Sequence, residues 1–127
     1  MKLLNSRHIF AAAVLTLIAV PVSAAPAGDP VKGKSIFMRC AICHSIEPGK
    51  NMLGPSLSGV VGRPAGVATG YNYSPAMKGA KIAWTSDSLS KFLTNPRAMV
   101  PGTKMIFAGL PNETDRANVI AYLAKPK

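Results

Sequence analysis

Both cysteines of the chain fall in one five-residue stretch, Cys40-Ala41-Ile42-Cys43-His44, with a histidine directly behind them. Two thiols three positions apart share one face of a helical turn. Three chemistries are therefore open: a disulfide, a bare metal ion, or a larger group attached through both sulfurs. A thioredoxin-like redox pair sits in a strand–helix–strand setting. No alternating, strand-like run precedes Cys40, and Lys32 to Arg39 reads instead as a short helix with Ile36 and Phe37 apolar. Structural zinc takes four ligands, usually cysteine and histidine. Once His8 is lost with the leader described below, the chain offers three. Haem attachment remains, and C-x-x-C-H is its sequence signature. The two sulfurs reach the two vinyl-derived carbons on one porphyrin edge, and His44 then lies under the ring with an imidazole nitrogen for the iron. A non-haem module closed by a Cys40–Cys43 disulfide is the competing reading.

The opposite axial position decides what such a site does. With no second histidine left, methionine is the natural candidate, and Met/His ligation is a recognised cytochrome arrangement. Met1 leaves with the leader, Met38 lies on the same side as the attachment site, and Met52 follows His44 too closely. Met77, Met99 and Met105 have enough chain to reach the far face. Met105 stands in "NPRAMVPGTKMIFAGL", where Pro96 ends a helix and Pro101-Gly102 makes a turn. The irregular loop that follows can lay a thioether against a flat ring. Methionine is also a common core filler, and spacing alone does not separate Met105 from Met99.

Lys2 and Arg7 precede Ile9 to Val20, which is apolar apart from Thr16, and "PVSAA" follows. A charged start, a short apolar middle and a small-residue end make a secretory signal peptide, with cleavage expected after Ala24. The apolar run falls short of the roughly 20 residues a spanning helix needs. Residues 1–24 are thus the leader and 25–127 a single domain, exported to the periplasm with no stable membrane insertion. The whole chain has 15 basic and 5 acidic residues and a net charge of +10, of which the leader carries two. In an exported protein this balance favours acidic protein partners over nucleic acid. The charges are dispersed rather than bunched.

The elements that must position these residues are helical. A first helix is expected from about Pro30 to Cys40, with the cysteine motif at its end. A second begins at Thr85 or Ser86 and carries Leu89, Phe92 and Leu93 until Asn95-Pro96 stops it. The last starts at Asn112 as N-cap, with Asp115 three positions on as in a capping box, and shows Val119, Ile120 and Leu123 on one face. Between His44 and Thr85 the chain is rich in Gly, Pro and Ser and is expected to wrap the cofactor. The fold class is all-α, three to five short helices and ordered loops around one haem.

"VPGTKMIFAG" resembles the methionine-bearing loop of the class I, mitochondrial-type cytochromes c. The likeness continues through "GPSLSGVVGRPAG", "GYNYSPAMKGAKIAW" and the final "ANVIAYLAK", in the family's order from about Lys32 onward. The resemblance implies one covalent haem c on Cys40 and Cys43, with His44 and Met105 as the axial iron ligands. It implies that the Pro55 carbonyl accepts the imidazole N–H, and that Arg63, Tyr73, Trp84 and Thr103 surround the haem propionates. Gly33 and Phe37 match positions that meet Tyr122 and Leu123 where the first and last helices cross. Two departures stand out. Phe92 replaces a tyrosine near the methionine sulfur, and the segment between Glu47 and Gly54 is one residue short and lacks a histidine that pins that loop.

The function so implied is a monomeric one-electron carrier rather than an enzyme, since both axial positions are filled. Its partners would be the acidic docking surfaces of redox proteins: a quinol-oxidising complex, a terminal oxidase, a reductase or a photosynthetic reaction centre. Lys34, Lys50, Lys78 and Lys104 are the candidates to ring the haem edge. A haem enzyme or gas-binding protein with a displaceable sixth ligand is the alternative.

Overall fold

A computed structural model describes residues 27–125; the expected leader lies outside them. Among the described residues five helices follow one another: α1 Pro30–Phe37, α2 Pro75–Gly79, α3 Ser86–Thr94, α4 Pro96–Met99 and α5 Glu113–Ala124. Among the described residues the only extended pairing is a single bridge between Pro64 and Ala83. The all-α expectation holds.

Each helix starts where the sequence supplies a cap. Asp29 accepts from the backbone N–H groups of Val31 and Lys32, with Pro30 pre-set for the first helical position. Thr85 Oγ1 accepts from Ser88 N at 3.1 Å, and Asn112 Oδ1 from Asp115 N at 3.0 Å. Ser74-Pro75 opens α2 in the same manner, inside a stretch the sequence reading treated as wrapping loop. Pro96 does stop α3, yet it also begins α4, because Asn95 caps it through Ala98 N at 3.1 Å.

The first helix is shorter than expected. It ends at Phe37, and the chain reaches the cysteines in tight turns. Arg39 N donates to Ile36 O at 3.1 Å and Cys40 N to Phe37 O at 2.7 Å, both i→i+3 bonds of the 3₁₀ kind. A wider turn returns at the motif, where His44 N donates to Cys40 O at 2.9 Å. Cys40 and Cys43 therefore still share one turn.

The fold is closed by α1 against α5. A β-carbon on Gly33 would run into the Asn118 carbonyl and stand 2.8 Å from Tyr122 Cβ, so only glycine permits this approach. Phe37 packs on Tyr122 with ring centroids 5.3 Å apart, and Asp29 N donates to Asn118 Oδ1 at 2.8 Å. Arg116 of α5 reaches α3, donating from Nε to Ser90 Oγ at 3.0 Å. The buried side chains of α3 and α5, among them Leu89, Phe92, Leu93, Val119 and Leu123, form the back wall of the cavity that holds the site.

Candidate cofactor site between the CAICH turn and the Met105 loop

The cavity measures about 680 Å³, within the usual range of about 300–1,000 Å³ for cofactor sites. Cys40, Cys43 and His44 border it from one side and Met105 from the loop after α4. Neither cysteine is in a disulfide, and both are half-buried. Burial pushes the Cys40 thiol up, and the charge of Arg39 opposes this.

The imidazole of His44 is fixed from behind. Its Nδ1–H donates to the Pro55 carbonyl at 2.8 Å, which leaves Nε2 as a lone-pair donor. Such a bond to the second nitrogen sets ring orientation and strengthens the ligand. Gly54 packs so tightly against the ring that a β-carbon would overlap its atoms. Burial holds the imidazole below its ordinary pKa, partly offset by the Pro55 bond. His44 is thus neutral at pH 7, the form that binds metal.

Five methionines are described, and the cavity sorts them. Met38 and Met52 are exposed. Met99 is partly buried but does not border the cavity, whereas Met77 and Met105 both do. Met77 is buried within α2. Met105 is half-buried in an irregular loop, its N–H donating to Thr103 Oγ1 at 3.3 Å.

Arg63, Tyr73, Trp84 and Thr103 all border this same cavity. Trp84 is buried and packs on Phe92 with centroids 4.9 Å apart. The Tyr73 hydroxyl accepts from Ala68 N at 3.1 Å, so its own proton is free to donate. Arg63 spends Nη1 on Ser58 O at 2.9 Å and Nη2 on Ser56 O at 3.0 Å. Its Nε–H is buried with no partner among the described residues. An orphaned buried donor costs about 1–3 kcal/mol, so this one calls for an acceptor brought by a ligand. Two thiols on one turn, a neutral imidazole with a free Nε2 and an unanswered guanidinium N–H together fit a haem carrying carboxylates. A bare ion does not fit: no cluster of three or more His, Cys, Asp or Glu side chains suited to a metal exists among the described residues.

The family model for cytochrome c matches residues 30–127. The chain belongs to the cytochrome c family. This cytochrome is 53% identical to the cytochrome c2 of Rhodomicrobium vannielii over 103 residues, covering 80% of this chain and 82% of the relative. It is 50% identical to the cytochrome c of Euglena viridis over 97 residues, covering 76% and 95%. The solved structure of cytochrome cH from Methylobacterium extorquens superposes with a TM-score of 0.73 at 42% identity, over 76% of this chain and 97% of that one. Its cofactor is accordingly a covalently bound haem c with its iron, and its business is electron transfer.

Several residues of the cytochrome's cavity escaped the sequence reading. Met77, a candidate ligand by spacing, is buried in the cavity wall. Ile42, Leu53 and Ile106 line the cavity and are largely exposed, as an opening to the surface requires. Of the four lysines expected around it, only Lys104 borders the cavity, and it donates to Asn72 O at 2.6 Å. Lys50 pairs instead with Glu47 at 3.2 Å. Arg39, unmentioned as a docking residue, lines the mouth. No helix among the described residues is long and apolar enough to cross a membrane.

Proposed function

We propose that this cytochrome carries single electrons between redox proteins, with its haem bonded to Cys40 and Cys43 and its iron held between His44 Nε2 and Met105 Sδ. The haem supplies the Fe(II)/Fe(III) couple. The chain's residues do the rest. His44 is neutral and locked to Pro55, so the proximal ligand does not move when charge changes. The Met105 thioether favours the ferrous state, and the apolar wall of Phe92, Leu93 and Val119 disfavours added positive charge; both raise the potential. Arg63, Tyr73, Trp84 and Thr103 would donate to the propionates, without which buried carboxylates would be costly. With His44 Nε2 and Met105 Sδ both holding the iron, no ligand place would be left for a substrate, and the protein would be a carrier rather than an enzyme.

The observation that carries this reading is the placing of His44 and Met105 on one cavity, with the imidazole tied back so that only Nε2 is available. Cleavage after Ala24 would release the protein as a periplasmic monomer. Its acidic partners would be a quinol-oxidising complex and a terminal oxidase, reductase or photosynthetic reaction centre, and the cations at the cavity mouth support that choice. Optical spectra of the mature protein in both oxidation states, with its intact mass, test the assignment. Covalent haem and a weak ferric band at the red end support it. A missing band with ready carbon monoxide binding would instead indicate a gas-binding or catalytic haem.

A further inference from the structure

The loop that carries Met105 holds itself together poorly. Residues 104–109 make no backbone–backbone hydrogen bond to any described residue. Its start is tied by Lys104 Nζ, which donates to Asn72 O at 2.6 Å, and by the Met105 N–H to Thr103 Oγ1. Its end is fastened where Leu110 N donates to Leu93 O at 2.7 Å. Between these anchors lies Phe107, half-buried and bordering the cavity. The guanidinium carbon of Arg39 stands 5.6 Å from the centroid of the Phe107 ring, inside the reach of a cation–π contact. Arg39 is the residue before Cys40, so this contact joins the wall that carries His44 to the loop that carries Met105.

We propose that Arg39 is a positioning residue for Met105, acting as a clasp that holds the distal loop through the face of Phe107. The inference rests on Met105 being the distal iron ligand. Arg39 is exposed at the mouth where a partner must approach, so one side chain serves the closed loop and faces an incoming acidic surface. Carboxylates of a docked partner compete with the ring for the guanidinium, which links docking to the retention of the methionine.

The holoproteins of Arg39→Gln, Phe107→Leu and the double variant test this by two readouts. Imidazole binds ferric iron only when the loop lifts, so its apparent affinity scales with the open fraction. At exposed-site cation–π strength, R39Q raises that affinity by roughly 2- to 5-fold. It also speeds amide exchange at Met105 and Leu110, whose N–H groups are hydrogen-bonded at the two ends of the loop, while leaving Val119 to Leu123 unchanged. R39K recovers part of the effect, and R39Q adds nothing in the F107L background. Unchanged exchange and imidazole affinity in R39Q, or an equal effect with and without Phe107, overturns the clasp. A wild-type protein lacking the red ferric band would strike the ligand assignment instead, and the exchange comparison would still decide the clasp.

Discussion

His44 and Pro55 are joined by a 2.8 Å hydrogen bond from Nδ1–H to the proline carbonyl, and Gly54 leaves no space between that carbonyl's loop and the imidazole ring. The imidazole is therefore held by backbone, which cannot swing aside as a side chain can. Substituting Gly54→Ala forces a methyl group into the ring. The expected cost is about 1–3 kcal/mol, as for overpacking in a rigid core. It is read as a lowered denaturant midpoint of the holoprotein with a disturbed haem spectrum. An unchanged midpoint and spectrum would show that the ring has room.

Acid should loosen the protein through His44. Burial holds its pKa below the ordinary value of 6.5, and Nε2 bonded to the haem iron, as proposed, would also refuse a proton, so near pH 6 the unfolded chain binds a proton that the folded one refuses. Stability supplied by the neutral imidazole is complete above about pH 6.5 and is lost as pH falls toward the lowered value. Denaturant midpoints of the holoprotein from pH 7.5 downward should begin to fall in that window. A flat profile to pH 5 contradicts it.

The loop between Glu47 and Gly54 has an asparagine for a pin. Asn51 Nδ2 donates to Thr69 O at 2.9 Å and its Oδ1 accepts from Ser56 N at 3.0 Å, so one side chain ties two loops without a titratable group. Asn51→Ala should cost about 1 kcal/mol for each bond lost, measured by thermal unfolding. It should also speed amide exchange at Ser56, whose N–H loses its acceptor. Exchange at Ser56 unchanged in the variant would remove Asn51 from this role.

From the sequence, this loop was legible only as a missing histidine, because the replacement is not local. Asn51 reaches a carbonyl 18 positions away, and no periodicity announces such a bond. The cysteine motif, the caps at Thr85 and Asn112 and the apolar faces of α3 and α5 were readable, since each is a short-range pattern with its own physical cause. The Gly33 contact could be expected only through family likeness, because closeness to Asn118 depends on how two distant helices cross. The same limit explains α2. Ser74-Pro75 is an adequate start signal, but five residues give too little pattern to outweigh the surrounding turn residues. Spacing alone leaves Met99 and Met105 equal; the family likeness picks Met105, which borders the cavity where Met99 does not.

Electron transfer to an acidic partner should slow as salt is added. The chain's net charge is +10, with two of those charges in the expected leader, and Arg39 and Lys104 border the cavity mouth. Long-range attraction of this kind raises the encounter rate and is screened beyond about 10 Å at 0.1 M ionic strength. Second-order rates measured from about 10 mM to 300 mM salt should fall by roughly tenfold or more. Salt-independent rates would show that docking does not use this charge.

The most direct measurement compares the ferric spectrum and midpoint potential of the wild-type holoprotein with those of Met105→Ala and Met77→Leu, since both methionines border the cavity. If Met105 ligates iron, M105A loses the weak red band and its potential falls, while M77L keeps the band. A band and potential that survive M105A, or that vanish in M77L alone, contradict the assignment of the distal ligand.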